Sequence, residues 1–265
     1  MSGIERYFRD YGYLHERLGN ALSYLKDPRE FFWKQKAKKE AAVLIQDPEL
    51  AALQREAKEF FPEGQLYAKY TDFERYFAIN LRRIYRLGLP SFLPSFLPSF
   101  LPSFLPSFLP SFVPSGKKRL LDIGCGAGFF CLLCKRLGYD VTGMDLSGVD
   151  IFDYLIPRFH IPRMVHRIEP QQPLPPIERR FDYITAFAIC FHELEKNGEW
   201  TGRWDREDWL FFLDDIAKNY IAPGGRMYLF FNDWPHGDFK EVKSRIFPCR
   251  YNVRVGHKVL DFRFD

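Results

Sequence analysis

The run Leu120-Leu121-Asp122-Ile123-Gly124-Cys125-Gly126-Ala127-Gly128-Phe129 constrains this chain more than any other. An apolar stretch suited to a strand passes through three glycines into Phe129–Leu137, which has helical texture. Glycines at such a turn let the main chain come close to a ligand, and the first turn of the following helix offers N–H groups to it. In an open α/β sheet the crevice at that turn is where ligands bind. A dinucleotide fingerprint would require GxGxxG, and counted from Gly124 its third glycine would fall at position 129, which is Phe. The spacing is GxGxG, with an acid two places ahead of it.

The rest of the C-terminal half alternates in the same way. Strands are expected at Arg119–Ile123, Asp140–Met144, Arg163–Ile168, Phe181–Ala188 and Arg226–Phe231. Helices are expected at Phe129–Leu137, Val149–Arg158 and Arg206–Tyr220, with Pro223-Gly224-Gly225 as a turn. Arg250–Val255 and Lys258–Phe264, around Gly256, read as an antiparallel hairpin. Alternation of this kind builds a doubly wound α/β sheet.

Asp-x-Gly-x-Gly-x-Gly at Asp122–Gly128 resembles motif I of the class I S-adenosylmethionine-dependent methyltransferases. The resemblance extends to Val141-Thr142-Gly143-Met144-Asp145, to Phe181-Asp182-Tyr183-Ile184 with Phe191-His192, and to Leu213–Ile221 with Ala222-Pro223-Gly224-Gly225 and the strand after it. It covers roughly residues 117–232. It implies a Rossmann-like doubly wound seven-stranded sheet, S-adenosyl-L-methionine as cofactor, and methyl transfer as the reaction.

Site residues follow from the resemblance one by one. Gly124, Cys125, Gly126 and Gly128 would line the methionine and ribose part of the cofactor, and Asp122 would face the methionine amino group. Asp145 would accept from both ribose hydroxyls, since a carboxylate offers two acceptor oxygens to a vicinal diol. Leu146 would pack on the adenine, and Glu169 stands about where the family places an acid for the adenine edge. His192, just past the fourth strand, is the candidate general base, because its pKa is ordinarily near neutral. Its alternative role is to shape the pocket, leaving alignment of the nucleophile to do most of the work. Glu193, Asn232, Asp233 and His236 are weaker candidates, as are Tyr11, Tyr13 and His15 if the N-terminal helices close over the site.

Residues 1–88 read as helical and form an expected N-terminal helical cap. Ile4, Tyr7, Phe8, Tyr11 and Leu14 keep helical spacing, and Asp27-Pro28 and Asp47-Pro48 look like caps followed by a proline at the first helical position. Helices are expected near 28–46, 48–60 and 71–87, the last with Phe73, Tyr76, Phe77, Asn80, Leu81 and Ile84 on one stripe. Residues 89–116 are then a linker. Leu-Pro-Ser-Phe recurs six times without error from Leu89 to Phe112. A period of four without variation is not that of a solenoid. CTT-CCT-TCC-TTC, which is CTTC three times over, encodes one unit, so the tract reads as an expanded tetranucleotide. A proline at every fourth position argues against a membrane-spanning helix there. Residues 117–265 are the expected cofactor-binding domain.

Composition narrows the partners. A hydrophobic fraction of 46% is ample for a core, and the formal charge of +4 comes without a long basic arm, so nucleic acid is not the favoured substrate. The densest basic tract, Lys34 to Lys39, reads as a solvated helix face. The fourth strand lacks an Asn/Asp-Pro-Pro-aromatic motif, which sets aside exocyclic-amine chemistry. Five cysteines without a metal-type pattern suit reduced thiols in a cytoplasmic protein, and the Cys131–Cys134 pair falls inside a helix as buried small side chains. No secretion signal and no metal-binding acidic set is read. The expected acceptor is a small-molecule or sugar-like O or N nucleophile. A macromolecular methyltransferase acting on RNA or protein, or a non-catalytic cofactor binder, are the alternatives.

Overall fold

A computed structural model describes residues 28–63, 67–89, 117–196, 199–231, 239–246, 249–256 and 258–265. The chain divides into two compact units, Met1–Gly88 and Leu89–Asp265. The expected helical stripe of Ile4 to Leu14, the Leu-Pro-Ser-Phe tract from residue 90 on, and Tyr11, Tyr13, His15, Asn232, Asp233 and His236 lie outside the described residues.

The first unit holds α1 (Pro28–Leu44), α2 (Pro48–Phe60), a short 3-10 turn (Ala68–Thr71) and α3 (Phe73–Leu87). Pro48 occupies the first turn of α2, and the Asp47 carboxylate accepts from the Glu49 and Leu50 N–H groups (3.0 and 3.4 Å), satisfying donors the helix cannot. Asp72 does the same for Arg75 (3.1 Å), which is why α3 starts at 73 rather than 71. Gly88, in the left-handed region at φ 61°, closes the helix. The apolar stripe of α3 is buried as its spacing predicts, through Phe73, Phe77, Leu81 and Ile84. Glu30 on α1 pairs with Arg82 (3.1 Å) and Arg86 (2.6 Å) on α3, and these cations pull its carboxyl below the usual range against the cost of burial.

The second unit is a seven-stranded sheet in the order β3-β2-β1-β4-β7-β9-β8. Its strands are β1 (Arg119–Ile123), β2 (Asp140–Asp145), β3 (Arg163–Val165), β4 (Phe181–Ile189), β7 (Ile221–Phe231), β8 (Asn252–Val255) and β9 (Val259–Arg263). The first five in spatial order are parallel, and the C-terminal hairpin adds two antiparallel strands at the edge. The chain winds outward from β1 in one direction and from β4 in the other, so the switch point lies between them. Helices α4 (Phe129–Arg136), α5 (Asp150–Arg158), α6 (Arg206–Asp215) and α7 (Phe239–Ile246) accompany the sheet. The strands are rich in Leu, Ile, Phe and Met, and Leu121, Ile184, Met227 and Leu260 are fully buried in one continuous core.

Several features depart from the expected elements, among them β3, which ends at Val165 rather than Ile168. The helix expected over 206–220 becomes a π-turn at Ile216–Tyr220. Asp215 is buried and committed there, accepting from the Leu174 N–H (2.9 Å) and the Asn219 side chain (2.7 Å), while the Tyr220 hydroxyl donates to the Pro175 carbonyl. The Pro223-Gly224-Gly225 turn lies inside β7 as an irregularity, with Phe181 opposite Ile221 but Tyr183 opposite Arg226. A small antiparallel ribbon, β5 (Glu193–Lys196) and β6 (Glu199–Arg203), follows β4 and had no counterpart among the expected elements.

Candidate functional site

The glycine loop sits at the C-terminal end of β1, beside the switch point. Gly124 and Cys125 both donate to the Met144 carbonyl (2.7 and 3.2 Å), which fastens the loop to the end of β2. Gly124 has φ 69°, a conformation other residues adopt only with strain, and a Cβ built there would meet nothing within 4 Å. The glycine is required by backbone shape, and the space above it is open. Gly128 answers a second demand. Its Cβ would come 3.3 Å from Ile156 Cγ1 and 3.6 Å from Phe159 Cδ2, so glycine permits α4 to approach α5.

Asp145 ends β2. Its Oδ2 accepts from the Gly126 N–H (2.6 Å) and its Oδ1 from the Leu146 N–H (2.7 Å). Burial raises its pKa, and the two backbone donors and the Arg163 guanidinium oppose that rise. Arg163 is itself held by Asp153 (2.5 Å). Leu146 is 37% exposed, a large apolar side chain left uncovered next to that carboxylate.

Asp122 lies deeper, at 3% exposure. Thr185 on β4 donates to its Oδ1 (2.7 Å), and the Cys131 thiol lies 3.7 Å from its Oδ2. Desolvation holds the Cys134 thiol well above its usual range, and the contact with Cys125, followed by desolvation, does the same for Cys131. Both side chains are neutral packing groups in α4. The structure brings Asp122, Gly124, Cys125, Gly126, Gly128, Asp145 and Leu146 to one end of β1 and β2. Glu169 stands in the loop after β3, where its carboxylate accepts from Gln172 (2.8 Å). Sequence reasoning missed Thr185. Its place opposite Asp122 is set by the β1–β4 register, which the sequence does not display.

His192 follows β4 and is 3% exposed. Its ring is packed against Phe231 and Trp209, with centroids 5.3 and 5.6 Å away, and its carbonyl accepts from the Trp204 N–H (2.8 Å). Burial, with Arg203 and Arg245 nearby, pushes its pKa down to about 4, so it is neutral at pH 7. Its Nδ1 finds no hydrogen-bond partner among the described residues. Just before it, Ala188 takes φ 55° where the β4–β7 register slips between Phe187 and Ile189. Strain of that kind collects beside functional sites.

Residues 93–196 match the model of a methyltransferase domain family. That match takes in β1 through β5 of the second unit, and so includes the glycine loop, Asp145 and His192, over less than half of the chain. A ubiquinone biosynthesis O-methyltransferase from Rhodopseudomonas palustris (strain HaA2) is 38% identical over 76 residues, 28% of this chain and 29% of that protein. The chain thus spans under a third of the length of the curated relative it matches. Among solved structures, a TehB-like S-adenosylmethionine-dependent methyltransferase from Corynebacterium glutamicum is 22% identical, covering 58% of this chain and 83% of that one at a TM-score of 0.39. A methyltransferase from Pyrococcus furiosus is 19% identical, covering 56% and 75% at a TM-score of 0.37.

The cofactor fits the residues present. The open face over Gly124 gives room for the methionine end. Each Asp145 oxygen takes one backbone donor and retains a lone pair for a ribose hydroxyl. Leu146 offers an uncovered apolar surface at the same edge. Among the described residues, no helix is long and apolar enough to cross a membrane.

Proposed function

We propose that this chain is an enzyme that transfers a methyl group to the oxygen or nitrogen of a small-molecule or sugar-like acceptor. The observation that carries the reading is the Asp145 carboxylate, clamped to the glycine loop at 2.6 Å beside the open face of Gly124. When bound, S-adenosylmethionine supplies a sulfonium methyl for direct displacement by the acceptor, leaving S-adenosylhomocysteine. Asp145 holds the ribose, the loop from Gly124 through Cys125 and Gly126 to Gly128 cradles the methionine end, and Leu146 and Glu169 bound the adenine. Asp122 keeps the loop in shape from below, through Thr185 and β1. His192 contributes as a neutral ring in the wall beyond β4. A group with a pKa of about 4 is a poor proton acceptor at neutral pH, so alignment of the acceptor carries most of the rate.

The ubiquinone-pathway relative acts on oxygen, as its name states, and this favours an oxygen acceptor here. Calorimetry with S-adenosylmethionine and S-adenosylhomocysteine tests the cofactor half of the reading. Release of S-adenosylhomocysteine on incubation with small-molecule and macromolecular fractions of a cell extract tests the other half. Binding without release from either fraction would make the chain a cofactor-binding protein, and release with the macromolecular fraction alone would overturn the small acceptor.

A further inference from the structure

We propose that Gln171 is a positioning residue that couples the cofactor end of the site to the acceptor end, through a hydrogen bond from its side-chain amide to Asp208 at the start of α6. The proposal rests on the methyl-transfer reading, in which the loop after β3 bounds the adenine and His192 stands in the acceptor wall.

Three hydrogen bonds fasten that loop to α6 and to the π-turn after it. The Leu174 N–H donates to Asp215 (2.9 Å), and the Pro175 carbonyl accepts from the Tyr220 hydroxyl. Both use main-chain groups of the loop, and both lie toward the far end of the helix. The third runs from side chain to side chain. Gln171 Nε2 donates to Asp208 Oδ1 (3.0 Å), two residues on from Glu169. The start of the loop is tied to the cofactor acid, because the His166 N–H donates to the Asp145 carbonyl (3.1 Å). The segment from His166 to Gln171 thus bridges Asp145 and α6, with Glu169 between them.

Both ends of the Gln171–Asp208 bond are specified. Gln171 takes φ 54°, in the left-handed region where a Cβ is strained. Glycine would remove that strain, but it would have no amide to reach Asp208. Strain of this kind persists where the surroundings over-determine the conformation. Asp208 is 8% exposed, and its other oxygen is also taken. Oδ2 accepts from the Asp205 N–H (3.0 Å), and the Asp208 N–H donates back to Asp205 Oδ1 (3.0 Å), a reciprocal cap on the helix. Gln171 therefore holds the group that sets where α6 begins.

The next residue carries the effect to the acceptor side. Trp209 is fully buried, with its ring against His192 and Trp204 at centroid distances of 5.6 and 5.2 Å. Close-packed rings pass a displacement on rather than absorb it. A cofactor that orders the loop at Glu169 fixes Gln171, the cap and this wall in turn. Such coupling is reciprocal, so the acceptor binds best to the cofactor-loaded enzyme.

The test is hydrogen exchange of the full chain, read by mass spectrometry on peptides covering residues 205–215, with and without saturating S-adenosylhomocysteine. In the unmodified chain the ligand should slow exchange there by about fivefold or more, the lower end of typical coupling between sites. Gln171→Glu sets a second carboxylate against Asp208 and breaks the bond. The slowing should then fall below about twofold, at a ligand concentration that calorimetry shows to be saturating. In Gln171→Glu/Asp208→Asn the introduced amide keeps the Asp205 N–H on its oxygen and donates from its nitrogen to the introduced carboxylate. The bond returns with its direction reversed, and the slowing should return with it. A residue that only supported the fold would shift exchange equally with and without the ligand. Should Gln171→Glu fail to fold, Gln171→Gly removes the side chain at a φ that glycine adopts freely, and the same loss of slowing is expected. Bound ligand without slowing in the unmodified chain, slowing that survives in either single variant, or no recovery in the double variant would overturn the coupling and leave the methyl-transfer reading intact. No binding of S-adenosylhomocysteine at all would overturn that reading, and the coupling with it.

Discussion

Asp145 Oδ2 accepts a 2.6 Å hydrogen bond from the backbone N–H of Gly126, so the acid that ends β2 also sets the shape of the loop that ends β1. One side chain therefore serves two purposes. Under the proposed function it presents oxygens toward the ribose diol, and it holds the adjoining peptide in place before any ligand arrives. Preorganisation of this kind lowers the ordering cost of binding.

Asp145→Ala is accordingly expected to weaken S-adenosylmethionine binding by about 1.5–3 kcal/mol, the range for hydrogen bonds to a charged group. Isothermal titration calorimetry reads this directly. Unchanged affinity in a folded variant would remove Asp145 from the ribose site.

Thr185→Val probes the layer beneath. Thr185 is 1% exposed and gives the buried Asp122 carboxylate a 2.7 Å donor. Valine keeps the shape and deletes the donor, so unfolding free energy should fall by about 1–3 kcal/mol. A urea midpoint that moves downward with an unchanged slope would report this as stability alone. A change under about 0.5 kcal/mol, the scatter of neutral surface substitutions, would mean Thr185 does not support Asp122.

These two residues also show what the sequence made legible. Asp145 was singled out through the family resemblance, and the parallel β1–β2 pairing sets it beside the first loop. Thr185 was not, since its role depends on the β1–β4 register that sets it opposite Asp122, and register is a property of the assembled sheet. The β5–β6 ribbon was hidden for a related reason. Its segments, Glu193–Lys196 and Glu199–Arg203, are rich in charge and too short for periodicity to mark them as strands. His192 was located correctly after β4. Its burial between Phe231 and Trp209 follows from partners far along the chain, and so does its depressed pKa.

Three glycines of the loop should separate by phenotype. Gly124→Ala faces open space, so its cost to folding is the backbone strain of φ 69°, about 1–2 kcal/mol, while cofactor affinity should drop by more than about tenfold as the methyl group enters the crevice. Gly126→Val, at φ 54° with Phe152 Cζ 3.7 Å from its Cβ, should abolish binding in a protein that still folds. Gly128→Ala instead presses on Ile156, and its main effect should be a lower melting temperature. Circular dichroism melts beside calorimetry distinguish these outcomes. Normal cofactor binding by the valine variant would show that the loop is not the site.

His192 yields the last prediction, and its sign can be worked out. The imidazole has an ordinary pKa near 6.5 when unfolded and about 4 in the fold, where burial dominates and Arg203 and Arg245 add to the effect. Between those two values the unfolded chain binds the proton that the folded chain refuses, so stability rises with pH across that window. The contribution is fully present above about pH 6.5, falls away as the pH drops toward 4, and levels off below it. Its full size is about 3.5 kcal/mol, since 6.5 and 4 differ by 2.5 and each pKa unit corresponds to about 1.4 kcal/mol. Urea melts at pH 7 and pH 5 should therefore show a loss at the lower pH that shrinks in His192→Gln, whose side chain takes no proton. If the loss is the same in both proteins, other groups cause it and the ring is not held neutral by the fold. The same variant separates the two catalytic roles. A general base would make turnover fall about 10²–10⁴-fold with cofactor affinity intact. A wall residue, as the buried neutral ring implies, should cost less than about tenfold and act mainly on the acceptor's KM.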